Sequence, residues 1–182
     1  KIFKKFKLNK SLKTILMTYH PTTLELDVSQ SKQINQIFDA LEKFNFQIVI
    51  TSPNDDVGRD KIVSLIKNRI KNKKSYHYFD TLNFEGYHNL LPFCELVIGN
   101  SSSGIYEAPF YKTPTINVGS RQKGRLMHKS VISTNYSELS IIKAIKKATS
   151  KKFKLKLKKM KYIYGDGNAS KKIIKVLKKT QI

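Results

Sequence analysis

The chain has 182 residues, 40% of them apolar and 10% aromatic, and a formal charge of +22. That length suits one well-buried domain spanning 1–182, since a domain takes roughly 100–200 residues, and the composition excludes a disordered chain. No apolar run approaches the ~20 residues that cross a bilayer, and the basic start KIFKKFKLNK leads into no apolar core of signal-peptide length.

So large a positive charge raises a nucleic-acid partner, but its distribution argues against one. Arginine occurs only at Arg59, Arg69, Arg121 and Arg125, and the rest of the excess is lysine. Arginine is the better reader of bases and phosphates. The runs KNRIKNKK and KKFKLKLKKMK alternate or fall at helical spacing, as solvated faces do. The lone cysteine, Cys94, sits in the apolar stretch LLPFCELVI. It reads as a buried structural thiol, compatible with a reducing cytoplasm, and nothing around it suggests a metal cluster.

The predicted elements alternate. TILMTY (14–19) is a buried strand, and 29–44 is a helix with Ile34, Ile37, Phe38 and Leu41 on one side and Ser29 or Ser31 as cap. QIVITS (47–52) is the second strand, and 58–71 a helix carrying Ile62, Leu65, Ile66 and Ile70. SYHYFDTL (75–82) is the third strand, NFEGYHNLLPFC (83–94) a helix, and ELVIG (95–99) the fourth strand. SSGIYEAPFY (102–111) reads as a short helix, PTINV and SVIST as the last strands, 135–150 as a helix and 168–179 as the final one. This order predicts an α/β, Rossmann-like doubly wound parallel sheet, whose ligands bind beyond the carboxyl ends of the strands.

Three of those strand ends carry unusual chemistry. His20 follows the first, in YHPTT; a lone histidine there is either structural or functional. Asn54 follows the second in SPNDDVG, where turn chemistry alone would explain it. GNSSSG follows the fourth and opens a helix, whose free N–H groups and macrodipole favour an anion. An ordinary cap needs one such residue, whereas this segment strings several together. Glu107, one turn on, suits a ribose diol. Arg121, with Arg125 nearby, suits a diphosphate. The first turn lacks G-x-G-x-x-G, so a dinucleotide site is not indicated.

GNSSSGIYEAP, PTINVGSRQKGR, YHPTT and the late YGDGNAS together resemble the hydrolysing UDP-N-acetylglucosamine 2-epimerases, including the bacterial sialic-acid-pathway enzymes. The resemblance runs from about residue 14 to the end. It implies the C-terminal domain of a glycosyltransferase-B fold, with an N-terminal domain of the same enzyme absent from this chain. By the same resemblance His20 acts in catalysis near the diphosphate, with the roles of Thr22 and Thr23 open because HPTT departs slightly in spacing. Ser101 and Ser102 hold the diphosphate, Glu107 the ribose, and Arg121 the nucleotide. Asn54 matches a polar residue after the second strand, and Leu82 a residue near the uracil that acts through its backbone. The implied full-length enzyme is cytoplasmic and homo-oligomeric. It converts UDP-N-acetylglucosamine and water to N-acetylmannosamine and UDP without metal or other cofactor, and with neither nucleic acid nor membrane as partner. The same chemistry on a UDP-2,4-diacetamido sugar, or a UDP-sugar glycosyltransferase, are the alternatives. The isolated chain is expected to bind UDP and not to turn over.

Overall fold

A computed structural model describes residues 1–22 and 29–180, so Thr23 lies outside the described residues. Among the described residues six strands form one sheet: β1 (Lys13–Thr18), β2 (Phe46–Thr51), β3 (Tyr76–Phe79), β4 (Cys94–Gly99), β5 (Thr115–Val118) and β6 (Val131–Thr134). They lie in the order β3-β2-β1-β4-β5-β6, with each neighbouring pair parallel. The order reverses between β1 and β4, so the loops after these two strands diverge and open a crevice there.

Alternate strand residues point to opposite faces, and the two faces build separate cores. Ile15, Met17, Ile48, Ile50, Leu96, Ile98, Ile116 and Val118 pack under α2 (Gln30–Leu41), α3 (Arg59–Ile70) and α6 (Glu138–Thr149). Leu16, Val49 and Val97 face the other way, against Phe6, Leu8, Leu82, Leu90, Leu91 and Ala108. The strands are therefore apolar on both sides, which is why they read as continuous apolar runs. Ser29 caps α2, its Oγ accepting from Lys32 N at 3.3 Å.

Several boundaries differ from the sequence expectation, each for a local reason. The helix expected over 83–94 ends early: α4 covers Asn83–Leu90, a 3-10 turn covers Leu91–Phe93, and Cys94 opens β4. Pro92 in the turn offers no N–H to continue an α-helix. Cys94 is buried, its Sγ 3.5 Å from Leu90 O, and burial pushes its thiol up to about 12. The helix expected over 135–150 starts at Glu138 because Asn135 Oδ1 takes the N–H of Ser137 at 3.0 Å, an Asx turn. Ser150 is extended and caps a further helix, α7 (Lys151–Lys159), through Phe153 N at 3.2 Å. The lysine-rich run thus is a helix with one buried residue, Leu157. The first turn, α1 (Ile2–Lys5), was not anticipated, and the last helix is α8 (Ala169–Leu177). Among the described residues no helix is long and apolar enough to cross a membrane.

Gly99 ends β4 with φ +138, and a Cβ there would fall 1.9 Å from the carbonyl oxygen of Thr18. Neither partner can retreat without breaking the β1–β4 pairing. Gly99→Ala is therefore expected to destabilise the fold by about 3 kcal/mol, read as a lowered urea midpoint at unchanged slope.

Candidate functional site

The carboxyl ends of β1 to β5 surround a polar cavity of about 670 Å³ at the strand-order reversal. All seven residues singled out from the sequence line it: His20, Asn54, Leu82, Ser101, Ser102, Glu107 and Arg121. They come from five different loops, and only the parallel sheet brings them together.

His20 sits two residues beyond β1 and is almost fully buried. Its Nδ1 accepts the backbone N–H of Asn54 at 3.0 Å. An acceptor at Nδ1 fixes the neutral tautomer with its proton on Nε2. Burial, then the charge of Arg121, lowers its pKa to about 4, with Asp56 opposing. At neutral pH this ring is thus an uncharged donor held at the cavity wall. Asn54 accordingly contributes its backbone N–H here.

Arg121 follows β5 in the turn residues 119–125. Its Nη1 donates to the carbonyl of Asn100 at 3.3 Å, and its Nη2 lies 3.9 Å from the half-exposed Asp56 carboxylate. That second pairing is long, so much of the guanidinium's donor capacity is unspent, and the residue lines the cavity. Arg125 also lines the cavity, 5.9 Å from the ring centre of Tyr106.

The serine loop differs from expectation in one respect. The helix after it, α5 (Ser103–Tyr106), is a single turn, because Pro109 follows closely and the chain continues in turns. One turn supplies little macrodipole, so the anion-attracting character rests on local groups. Ser102 is the capping residue, yet its side chain makes no cap hydrogen bond, and Ser101 Oγ accepts only a long 3.4 Å bond from Ser103 N. Ser103 Oγ pairs with the phenol of Tyr87. Gly104 faces the sheet: a Cβ there would meet Thr115 Cγ2 at 2.7 Å. Glycine is thus needed for packing on β5, not for approach of a ligand.

Glu107 closes α5, half-buried, with its carboxylate making no hydrogen bond or ion pair among the described residues. Burial pushes its carboxyl up and the neighbouring His88 draws it back down. Leu82 precedes α4 and is buried, so a ligand would meet its backbone rather than its side chain.

Sequence reasoning missed part of the lining. Asp80 and Thr81 line the cavity from the turn after β3, because that strand ends at Phe79 and not at 82 as the sequence pattern predicts. Phe84, Tyr87 and His88 share one face of α4 by their i, i+3, i+4 spacing. Phe84 is 80% exposed and packs on His88 with ring centres 4.3 Å apart. The spacing was the available signal.

A six-stranded sheet of this order, with helices on both faces and a cavity at its reversal, defines a Rossmann-like domain of the glycosyltransferase-B architecture. A family model described as UDP-N-acetylglucosamine 2-epimerase matches residues 1–178, and the chain belongs to that family. The chain is 39% identical over 150 residues to a GDP/UDP-N,N'-diacetylbacillosamine 2-epimerase (hydrolyzing) of Campylobacter jejuni, covering 81% of this chain and 38% of that protein. It is 37% identical over 132 residues to a UDP-N-acetylglucosamine 2-epimerase of Neisseria meningitidis, covering 72% of this chain and 34% of that one. The fold is shared with the Methanocaldococcus jannaschii UDP-GlcNAc 2-epimerase solved with UDP-GlcNAc and UDP, at a TM-score of 0.71 and 18% identity, covering 98% of this chain and 51% of that one. The chain thus spans less than half the length of these two sequence relatives.

Proposed function

We propose that this chain is the UDP-binding half of a hydrolysing 2-epimerase acting on UDP-N-acetylglucosamine. The observation that carries the reading is the convergence of an uncharged donor, a cavity-lining arginine, spare serine hydroxyls and an unpaired carboxylate on one cavity. In this reading Arg121, Ser101, Ser102 and His20 Nε2–H receive the diphosphate, Glu107 accepts from the ribose diol, and the Leu82 backbone and the exposed Phe84 ring border the base. Asn54 holds the His20 tautomer.

The reaction removes the C2 proton of the sugar and expels UDP, giving 2-acetamidoglucal. Water then adds across that double bond to yield N-acetylmannosamine. As the C1–O bond breaks, negative charge builds on the leaving diphosphate, and donors fixed beforehand stabilise it without reorganising. The groups that move the C2 proton belong to an N-terminal half of a full-length, cytoplasmic, homo-oligomeric enzyme.

The name of the Campylobacter relative favours one second reading, the same chemistry on a UDP-2,4-diacetamido sugar. Assaying the full-length enzyme against both sugars separates the two: preference for the diacetamido sugar defeats the first. Release of UDP and a reducing sugar with no acceptor is expected, and a strict need for an acceptor would instead make it a glycosyltransferase. For the chain itself, Glu107→Gln is expected to weaken UDP and uridine alike by about 5- to 30-fold, since the ribose is common to both and one charge-assisted pair is lost. Calorimetry with both ligands checks this.

A further inference from the structure

Asn100 does not line the cavity. It is fully buried directly after β4, beneath the groups that do. Its side chain grips the backbone of His20 twice: Oδ1 accepts the His20 N–H at 2.7 Å and Nδ2 donates to the His20 carbonyl at 2.9 Å. Its own N–H donates to Thr18 O at 3.2 Å, continuing the β1–β4 pairing past the last ladder residue. Its carbonyl accepts from Arg121 Nη1 at 3.3 Å and from the buried Gln122 Nε2 at 2.7 Å.

We propose that the Asn100 side chain is a positioning group for the reaction: it clamps the His20 backbone beside the point where the main-chain carbonyl of the same residue holds Arg121, so that both address the diphosphate together. Its functional consequence rests on the reading of the site given above. The chemistry admits few substitutes. A carboxamide offers a donor and an acceptor side by side. Aspartate would turn a second acceptor toward the His20 carbonyl, and alanine would leave a buried N–H and a buried C=O without partners. Glutamine would overreach by one methylene in a fully buried site.

The test uses the chain as it is, with Asn100→Ala and Asn100→Asp. By calorimetry, UDP affinity is expected to fall at least tenfold while uridine affinity changes less than threefold. Equal losses for the two ligands, or none, in folded variants would overturn the proposal, because a purely structural residue has no reason to single out the diphosphate. In the ligand-free protein, nitrogen-15 shifts of the His20 ring should report a single Nε2–H tautomer in the wild type, set by the Asn54 N–H, and a mixture in Asn100→Ala, where a His20 backbone freed from Asn100 no longer seats the ring against Asn54; a tautomer kept intact in the variant overturns it. Should the wild type bind no UDP, the proposed function fails while this ring measurement still decides the role of Asn100. If neither variant folds, amide exchange in the wild type decides. His20 must exchange as slowly as the β1 core, and fast exchange there removes the clamp.

Discussion

Replacing Arg121 by alanine is expected to lower the affinity for UDP by about 10- to 150-fold while leaving uridine within about threefold. The guanidinium donates to the Asn100 carbonyl at 3.3 Å and reaches Asp56 only at 3.9 Å, so it is poised but not consumed by its protein contacts. A hydrogen bond to a charged group contributes about 1.5–3 kcal/mol, which is that fold-change. The same substitution removes a positive charge that helps to lower the His20 pKa, so the ring should titrate higher in the variant. It should stay below its ordinary value, because burial is the larger cause. Titrations with UDP and uridine, and a pH titration of the His20 ring, check both halves. Equal losses for the two ligands would remove Arg121 from the phosphate end.

The second large effect is on stability in mild acid. His20 has a folded pKa of about 4, below its ordinary 6.5. The unfolded chain therefore binds the extra proton first as the pH falls. The contribution of neutral His20 is fully present above about 6.5 and is lost progressively down to about 4, amounting to about 3 kcal/mol in all. His20 as a whole residue is buried but it lines an open cavity, so solvent screening makes this figure an upper bound. Urea midpoints at pH 7, 5.5 and 4.5 for the wild type and His20→Gln isolate the effect from carboxylate titration. The wild type should lose more stability than the variant over that range. Parallel curves would mean that His20 is not held neutral by the fold.

Much of this architecture was legible because a parallel sheet buried on both faces writes its strands as apolar runs, and Ile15 to Thr18, Ile48 to Thr51 and Leu96 to Gly99 did so. The rule that ligands gather beyond the strand ends then pointed to loops that line the cavity. What remained illegible was tertiary. Nothing in the sequence marks the packing role of Gly104, and only the position of Thr115 across the gap shows it. α5 looked like a longer helix because Pro109 and Lys112, at φ +57, act through backbone geometry rather than periodicity. Asn100 looked like one more polar residue of a serine loop, since its partners lie about 80 positions away at His20 and about 20 away at Arg121 and Gln122.

That separation has a kinetic consequence. The β1–β4 pairing closes a loop of roughly 80 residues, and β5 must dock on β4 before Arg121 arrives. Such non-local contacts form late and slowly in folding. No partly folded form can own the cavity, because each of its walls comes from a different strand end. A ligand that fills it therefore binds only molecules that have completed the entire search. Its presence shifts the balance toward them by mass action, making occupancy of the cavity a readout of finished folding.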